Sequence, residues 1–548
     1  MIGVAADPID LDIAAEFFEL FKTPWEPVVH GRHYRVVVST SGPIEDLDAD
    51  VLLVYGPSRP AADEHAGVSV EQRGGPLEVD WNGTQFLVYG GLASFETDCG
   101  VGALHMVSDG RCVEYRRGGG RRALWRVGYD LFSEVRYLLR RGQPTVHART
   151  PTLEIHIAVL RDLLRKSSVP FVEVPPRPLG HDFICCLTHD VDFHGIRRQG
   201  FDRTLVGFIA RASVGTLVDF LRGRRPFGDV MRNWVALCSL PFVFLRLAPD
   251  FWQPFEDYHK AERERPSTFF VVPFKGRPGV GPDGEVDSRR AVPYQASEVR
   301  EELGRALASG SEVALHGIDA WRDANAGRAE VSELTRLTGQ GRVGVRMHWL
   351  YFDDDSPCEL ERAGFDYDST WGYNDAIGYR AGTSQSFRIP GTQNLMELPL
   401  TIMDSALLYP GRMNLSRDEA FRLCHGIVTD ARRLGGTLVV NWHDRSLAPE
   451  RLWGASYAAL LADVDQAGSR PWFATAATAV DWYRWRRSVG FVVEECGRVT
   501  VRATPSSNLP GARLCVYRPA GGPDPAGEDK GSLEELDFAG DCAVVVNL

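Results

Sequence analysis

In Ile184-Cys185-Cys186-Leu187-Thr188-His189-Asp190-Val191-Asp192, an apolar run leads straight into two carboxylates two residues apart. Such a run reads as a buried strand that ends at a reactive edge. Strand side chains alternate, so Thr188, Asp190 and Asp192 share one face. Paired carboxylates at that edge can bind a cation, with one left free to take a proton. Further along, short apolar runs deliver His316, then Arg346 and His348, then His443, while Asp404 follows another. Ionisable residues at five strand ends in one region predict a single constellation rather than scattered surface groups.

A parallel sheet must position these residues. Strand-like stretches at Ser267 to Phe274, Glu312 to His316, Val343 to His348, Leu395 to Leu400 and Thr437 to Trp442 alternate with helical ones. Ser297 to Ser309 is amphipathic, Ser356-Pro357 opens a helix that Gly364 closes, and Ser416 with Glu419 forms a capping box. This alternation implies a parallel α/β sheet, open or closed into a barrel. In such sheets the chemistry lies at the carboxyl ends of the strands.

The chain of 548 residues is too long for one hydrophobic core, and two to four domains are expected. A hydrophobic content of 44% and a charged content of 24% describe an ordinary soluble globular protein. The net charge of -12 and pI near 5.7 argue against nucleic-acid binding, which needs a basic footprint. Ten cysteines without metal-finger spacing read as reduced core residues. Met1 to Pro8 has no basic region and no apolar stretch of signal length, which predicts a cytoplasmic protein.

Residues 1–169 read as an N-terminal accessory α/β domain. Helices are expected at Ala14 to Lys22, Tyr129 to Arg141 and from a Thr150-Pro151 cap to Lys166, with strands at Tyr34 to Ser39, Val51 to Tyr55 and Thr84 to Tyr89. His30, His33, His65 and His105 have no ligand spacing and read as structural. A proline-rich linker spans 170–180, the alternating region 181–488, and a small β-rich C-terminal module 489–548, with a loop at Gly521 to Gly531. An insertion, residues 194–266, lies at the mouth of the expected site. Its stretch from Gly195 to Arg232 holds eight Arg against three Asp, a local charge of +5. The insertion reads either as a helical lid or, through 195–245, as a basic amphipathic element touching a membrane face or a phosphorylated glycan carrier. The apolar stretch Trp234 to Leu245 is too short to span a bilayer.

The order Thr188-His189-Asp190-Val191-Asp192, Leu315-His316-Gly317, Arg346-Met347-His348-Trp349 and Asn441-Trp442-His443 resembles the polysaccharide deacetylases of carbohydrate esterase family four. The stretches Ala363 to Thr370 and Gly378 to Thr383 look like the same family. The resemblance covers about residues 180 to 488. It implies a distorted, incomplete (β/α) barrel and a hydrolase that removes acetyl groups from sugars with a divalent metal, usually zinc. Carried over, it makes Asp190 the catalytic base, Arg346 the residue that holds it, His443 the general acid and Asp404 the acid that tunes His443. Asp192 and His316 then bind the metal. The family's second metal histidine falls at Ala320, so the third ligand must come from elsewhere: His348, Asp319 or Asp323. His348 is favoured, because it lies two residues after Arg346 and so on the same strand face. The substrate class is an N-acetylated sugar or glycoconjugate precursor. Two other functions stay open, a metal-independent amidohydrolase acting on a non-sugar C–N bond and a glycan-binding protein without turnover.

Overall fold

A computed structural model describes residues 1–59, 63, 68–96, 103–117, 122–198, 203–223, 225–494, 497–504, 508–519, 531–539 and 543–548. His65, Asp202, Arg224 and most of the expected loop at 521–531 lie outside the described residues. The chain divides into two compact units. One comprises Met1–Gly180, Ala381–Thr383 and Trp482–Leu548; the other comprises His181–Arg380 and Ser384–Asp481.

The first unit is built on a six-stranded sheet in the order Glu114–Arg117, Ala123–Val127, Ala49–Tyr55, Tyr34–Ser39, Ile2–Ala5 and Trp25–Pro27. All neighbours in it run parallel except the first pair. Helices Leu11–Phe21, Leu131–Arg140 and Thr152–Lys166 bury apolar stripes, as the periodicity predicts. Thr150 does not cap the last of these; Pro151 takes the cap position. Of the C-terminal strands, Gly490–Val493, Arg498–Arg502 and Ala543–Asn547 form a sheet of their own, while the other two join an earlier part of the chain. Ala512–Arg518 pairs with Ser532–Phe538 and also with Phe171–Glu173, a strand inside the stretch expected as a linker. All three residues of Phe171–Glu173 are buried, and prolines at 170, 175, 176 and 178 flank the strand instead of making the whole segment a spacer.

The second unit contains a ten-stranded sheet that curls into a half-barrel. Its centre is Phe183–Val191, which is buried along its whole length and pairs on both edges, with Ser267–Val271 and with Thr437–Asn441. Beyond Ser267–Val271 follow Glu312–Gly317, Val345–Met347, Tyr367–Asp368 and Met396–Glu397, all parallel, and then Phe387–Arg388, antiparallel. On the other side Ile402–Met403 pairs with Thr437–Asn441. Pro471–Phe473 adds to the start of the central strand. The register sets His316 beside Arg346 and Thr188 beside Asn441, so the expected strand ends lie at one edge of the sheet.

Local signals explain the helices that follow these strands. Ser416 and Glu419 form the expected capping box at Arg417–Leu434, with each side chain taking the other's backbone N–H. Gly364 ends Ser356–Ala363 at a φ of 91°, a conformation that favours glycine. The insertion folds as a helical run through Arg203–Ala210, the π-helical turn Arg211–Gly215 and Thr216–Leu221, followed by Phe227–Phe244 and Pro254–Ala261. Its inner faces meet in a cluster that includes Phe208, Ala212, Leu240, Val243, Trp252 and Ala448. Ala448 follows closely on His443, so the insertion packs against a loop of the candidate site.

Candidate active site

Asp190 lies at the end of the central strand, and both its carboxylate oxygens are engaged. Arg346 Nη1 donates to Oδ1 at 2.9 Å, and Asn441 Nδ2 donates to Oδ2 at 2.7 Å. Arg346 is fully buried and cannot swing away: it also donates to Thr188 Oγ1 at 2.9 Å, to the Ser369 carbonyl at 3.0 Å and to Ser369 Oγ at 3.0 Å. Burial pushes the Asp190 carboxyl upward, but the Arg346 charge, with His316 and His443, outweighs it and holds the group below its ordinary range. An oxygen has two lone pairs, so Oδ2 keeps one beyond the Asn441 bond. Oδ2 lies 4.0 Å from His316 Nε2 and 3.9 Å from His443 Nε2, between the two imidazoles.

On one side stand Asp192, His316 and His348, whose ligating atoms all lie within 4.8 Å of one another. Nδ1 of His316 is 2.9 Å from the carbonyl of Arg346, which can only accept, so Nδ1 carries a proton and Nε2 is the ring atom turned toward Asp192. That Nε2 is 3.4 Å from Asp192 Oδ1, and His348 Nε2 is 3.3 Å from the same oxygen. Asp192 Oδ1 is buried without a hydrogen-bond donor. Two ligand atoms each about 2.05 Å from a tetrahedral ion are about 3.3 Å apart, so both distances to Asp192 Oδ1 suit a zinc-sized cation. Burial drives the His348 imidazole down to about 3, against the pull of Asp192, and so leaves it neutral as a ligand must be.

His348 is held by its backbone. Arg290 Nη2 donates to the carbonyls of His348 and Ile318, both at 2.9 Å, and thereby ties together the turns that follow His348 and His316. Trp349 and Leu350 then adopt φ values of 67° and 54°, rare for such side chains, and Asn374 Nδ2 holds the Trp349 carbonyl at 2.9 Å. The alternative ligands are engaged elsewhere. Asp319 Oδ1 accepts Val280 N at 2.9 Å, and Asp323 caps Ala324–Thr338 by accepting Asn325 N at 2.8 Å.

On the other side stands His443. Its Nδ1 is 2.6 Å from Asp404 Oδ1, while Asp404 Oδ2 accepts the His443 backbone N–H at 2.8 Å and a short bond from Ser446 Oγ. Asp404 thus fixes the ring with Nε2 toward Asp190. Burial would lower the imidazole, but Asp404 outweighs it, with Asp190 and Asp192 adding, and raises it to about 9. Next in sequence, Asp444 is pushed up to about 8 by burial and accepts Phe193 N at 2.9 Å. Its neighbour Arg445 stacks on Phe193 at 3.9 Å and reaches Trp252 of the insertion at 5.1 Å.

The fold brings together the seven residues expected from the sequence, Arg346 and Asp404 among them as holding groups; the other groups that hold them carry no such expectation. Asn441 and Ser369 fall within the stretches that resemble the deacetylases, yet nothing local gives their roles. Arg290 and Asp444 have no sequence signal. Behind Arg346, Asp368 and Glu397 form a buried carboxyl pair on adjacent strands, pushed upward by burial, Asp368 to about 6.

No protein-family model matches the chain, and no curated protein matches it. Several solved structures do. A Mycobacterium smegmatis protein described as a polysaccharide deacetylase is 19% identical, over 57% of this chain and 95% of that one, with a TM-score of 0.34. The carbohydrate deacetylase Agd3 is 8% identical over 100% of this chain and 99% of its own, at 0.37. The Xyl-CE4 domain of a multidomain xylanase from the hindgut metagenome of Trinervitermes trinervoides is 11% identical over 55% and 90%, at 0.26. Likeness of this size assigns neither a family nor an activity.

Proposed function

We propose that the protein is a metal-dependent hydrolase that removes acetyl groups from an N-acetylated sugar or glycoconjugate precursor. One observation carries this reading: an ionised carboxylate, Asp190, stands between a cation-sized cluster of Asp192, His316 and His348 and a protonated imidazole, His443, aligned by Asp404. Zinc suits the donor set of two imidazoles and one carboxylate. A divalent ion held there would act as a Lewis acid on the acetyl carbonyl and make water more acidic. Asp190 Oδ2 takes the proton from the attacking water, and Arg346 and Asn441 keep that oxygen aimed at the gap. His443 Nε2–H, opposite the metal cluster, gives a proton to the departing amine or alkoxide. Acetate release from N-acetylated sugars by the purified protein, with and without a chelator, tests the reading. Release that a chelator abolishes and zinc restores is the expected result. Unchanged release under chelation would move the reading to a metal-independent amidohydrolase, and no release with any acetylated sugar would count against turnover.

The pH dependence follows from His443. As the acid it must be protonated, so kcat/KM is expected to fall as pH rises through about 9. Asp404→Asn removes the charge that raises the imidazole, so the alkaline limb moves to lower pH. A pH–rate profile that keeps its alkaline limb in that variant would sink the assignment of Asp404. The same shift is linked to stability. Because the folded value is raised, the stabilisation is complete below pH 6.5, the ordinary value, and is lost as pH rises to about 9.

A further inference from the structure

The two long helical segments of the insertion carry apolar side chains on both faces. One face packs inward, with Leu205, Phe208 and Ala212 against Ala236, Leu240 and Val243. The opposite face is exposed. On the first segment Val206, Val214, Leu217 and Leu221 form a solvent-facing stripe at helical spacing, with Leu221 74% exposed. On the second, Met231, Val235, Phe242 and Leu245 do the same, and Trp234 stands beside them at 43% exposure. Contiguous exposed apolar faces on folded proteins mark contact sites for a protein, a ligand or a membrane. Thr204–Leu221 is also long and apolar enough to cross a bilayer by length and composition. However, its inner face is already packed on the protein and Arg211 interrupts it, a pattern that suits lying in an interface rather than spanning.

Charge decides among occupants. From Arg203 to Leu247 the sequence holds seven Arg against two Asp, in a chain of net charge -12. Both acids already have arginine partners: Asp219 pairs with Arg225 at 3.3 Å, and the buried Asp229 pairs with Arg417 at 2.7 Å. Arg222, Arg232 and Arg246 are exposed. A second copy of this face, brought up around a two-fold axis, would set these basic rims against each other. An anionic lipid surface satisfies both features, since acyl chains take the apolar stripes and headgroups take the arginines. A cavity of about 570 Å³ lined by Arg211, Arg222, Arg225, Arg417 and Arg451, with Asp219, Glu419 and Glu450 also on its wall, opens beside the first segment.

We infer that the outer face of Arg203–Leu221 and Phe227–Phe244 docks the protein on an anionic membrane surface. This inference stands independently of the deacetylase reading. The test is co-sedimentation of the full chain with vesicles of phosphatidylcholine, alone or mixed with phosphatidylglycerol. Binding to the anionic vesicles, weaker at high salt, is the expected result. Arg222→Gln with Arg246→Gln lowers partitioning by roughly 30-fold at low salt, at about 1 kcal/mol for each basic residue near the surface. Leu217→Glu with Val235→Glu abolishes binding at any salt, and because both positions face solvent, the thermal unfolding of this variant stays unchanged. A wild-type chain that stays in solution with anionic vesicles overturns the inference. So does a solution dimer that the Leu217→Glu, Val235→Glu variant dissolves, which would give the face to a second copy.

Discussion

Asp190→Asn lowers kcat by about 10³-fold, within the range of about 10²–10⁴ typical of a lost general base, while metal content stays at the wild-type level. An amide nitrogen cannot take the proton from water, and Asp190 is not one of the three clustered ligand groups. The sequence alone suggests that the fold would be indifferent to this change. The structure adds a cost, because Arg346 is fully buried and Asp190 is its ion-pair partner at 2.9 Å. Removing one partner of a buried pair typically costs about 3–5 kcal/mol. The remaining bonds to Thr188 and Ser369 soften that loss, so a lowered Tm is expected together with a folded, metal-loaded protein. Metal analysis, thermal unfolding and single-turnover kinetics on one preparation separate these effects. Stoichiometric loss of metal would mean that the roles of Asp190 and Asp192 are reversed.

His348→Ala weakens zinc binding by roughly 70- to 900-fold, taking about 10–16 kcal/mol for a structural zinc site spread over four ligands. Activity falls in parallel. Asp319→Ala and Asp323→Ala leave zinc affinity unchanged, since those carboxylates serve Val280 N and a helix cap. Placing a histidine at position 320, where the resembling family has its second metal histidine, is not expected to rescue the loss. Ala320 is fully buried and its Cβ is directed at Gly327, where an added Cβ would approach it to 3.2 Å, so an imidazole there meets the helix and not the cluster. Competition with a chromophoric chelator reads each variant, and full zinc affinity in His348→Ala would remove that residue from the ligand set.

Much of the site is legible along the chain because chemistry at the end of a parallel strand leaves a local mark. A buried apolar run that terminates in Asp, His or Arg is conspicuous, and two-residue spacing states which side chains share a face. That logic put Asp190 with Asp192, and Arg346 with His348, and the spacing of His348 from Arg346 singled it out as a candidate ligand beside Asp192 and His316. In the fold His348 Nε2 stands 3.3 Å from Asp192. Helix signals behaved the same way: the Ser416–Glu419 capping box and Gly364 act within one turn, so neighbours in sequence suffice.

The sequence by itself therefore singled out which residues could do chemistry and most of the strands that lead to them, since those properties depend on periods of two and 3.6 residues. It missed Ile402–Met403, which delivers Asp404 where Leu395 to Leu400 was expected to. It also ran the strands past their ends, since Asp192 follows Phe183–Val191 and His348 opens a turn after Val345–Met347. Tertiary structure alone decided what surrounds these residues. Asn441 reaches Asp190 across 251 residues of sequence, and Arg290 binds the carbonyls of Ile318 and His348, 28 and 58 residues away. Such contacts arise from strand order and loop placement, and no local pattern encodes either. The same holds for the grouping of Ala512–Arg518 with Phe171–Glu173, and for the apolar face of the insertion. An apolar helix reads alike whether it faces a core or water, and only the packing of its neighbours says which face remains open.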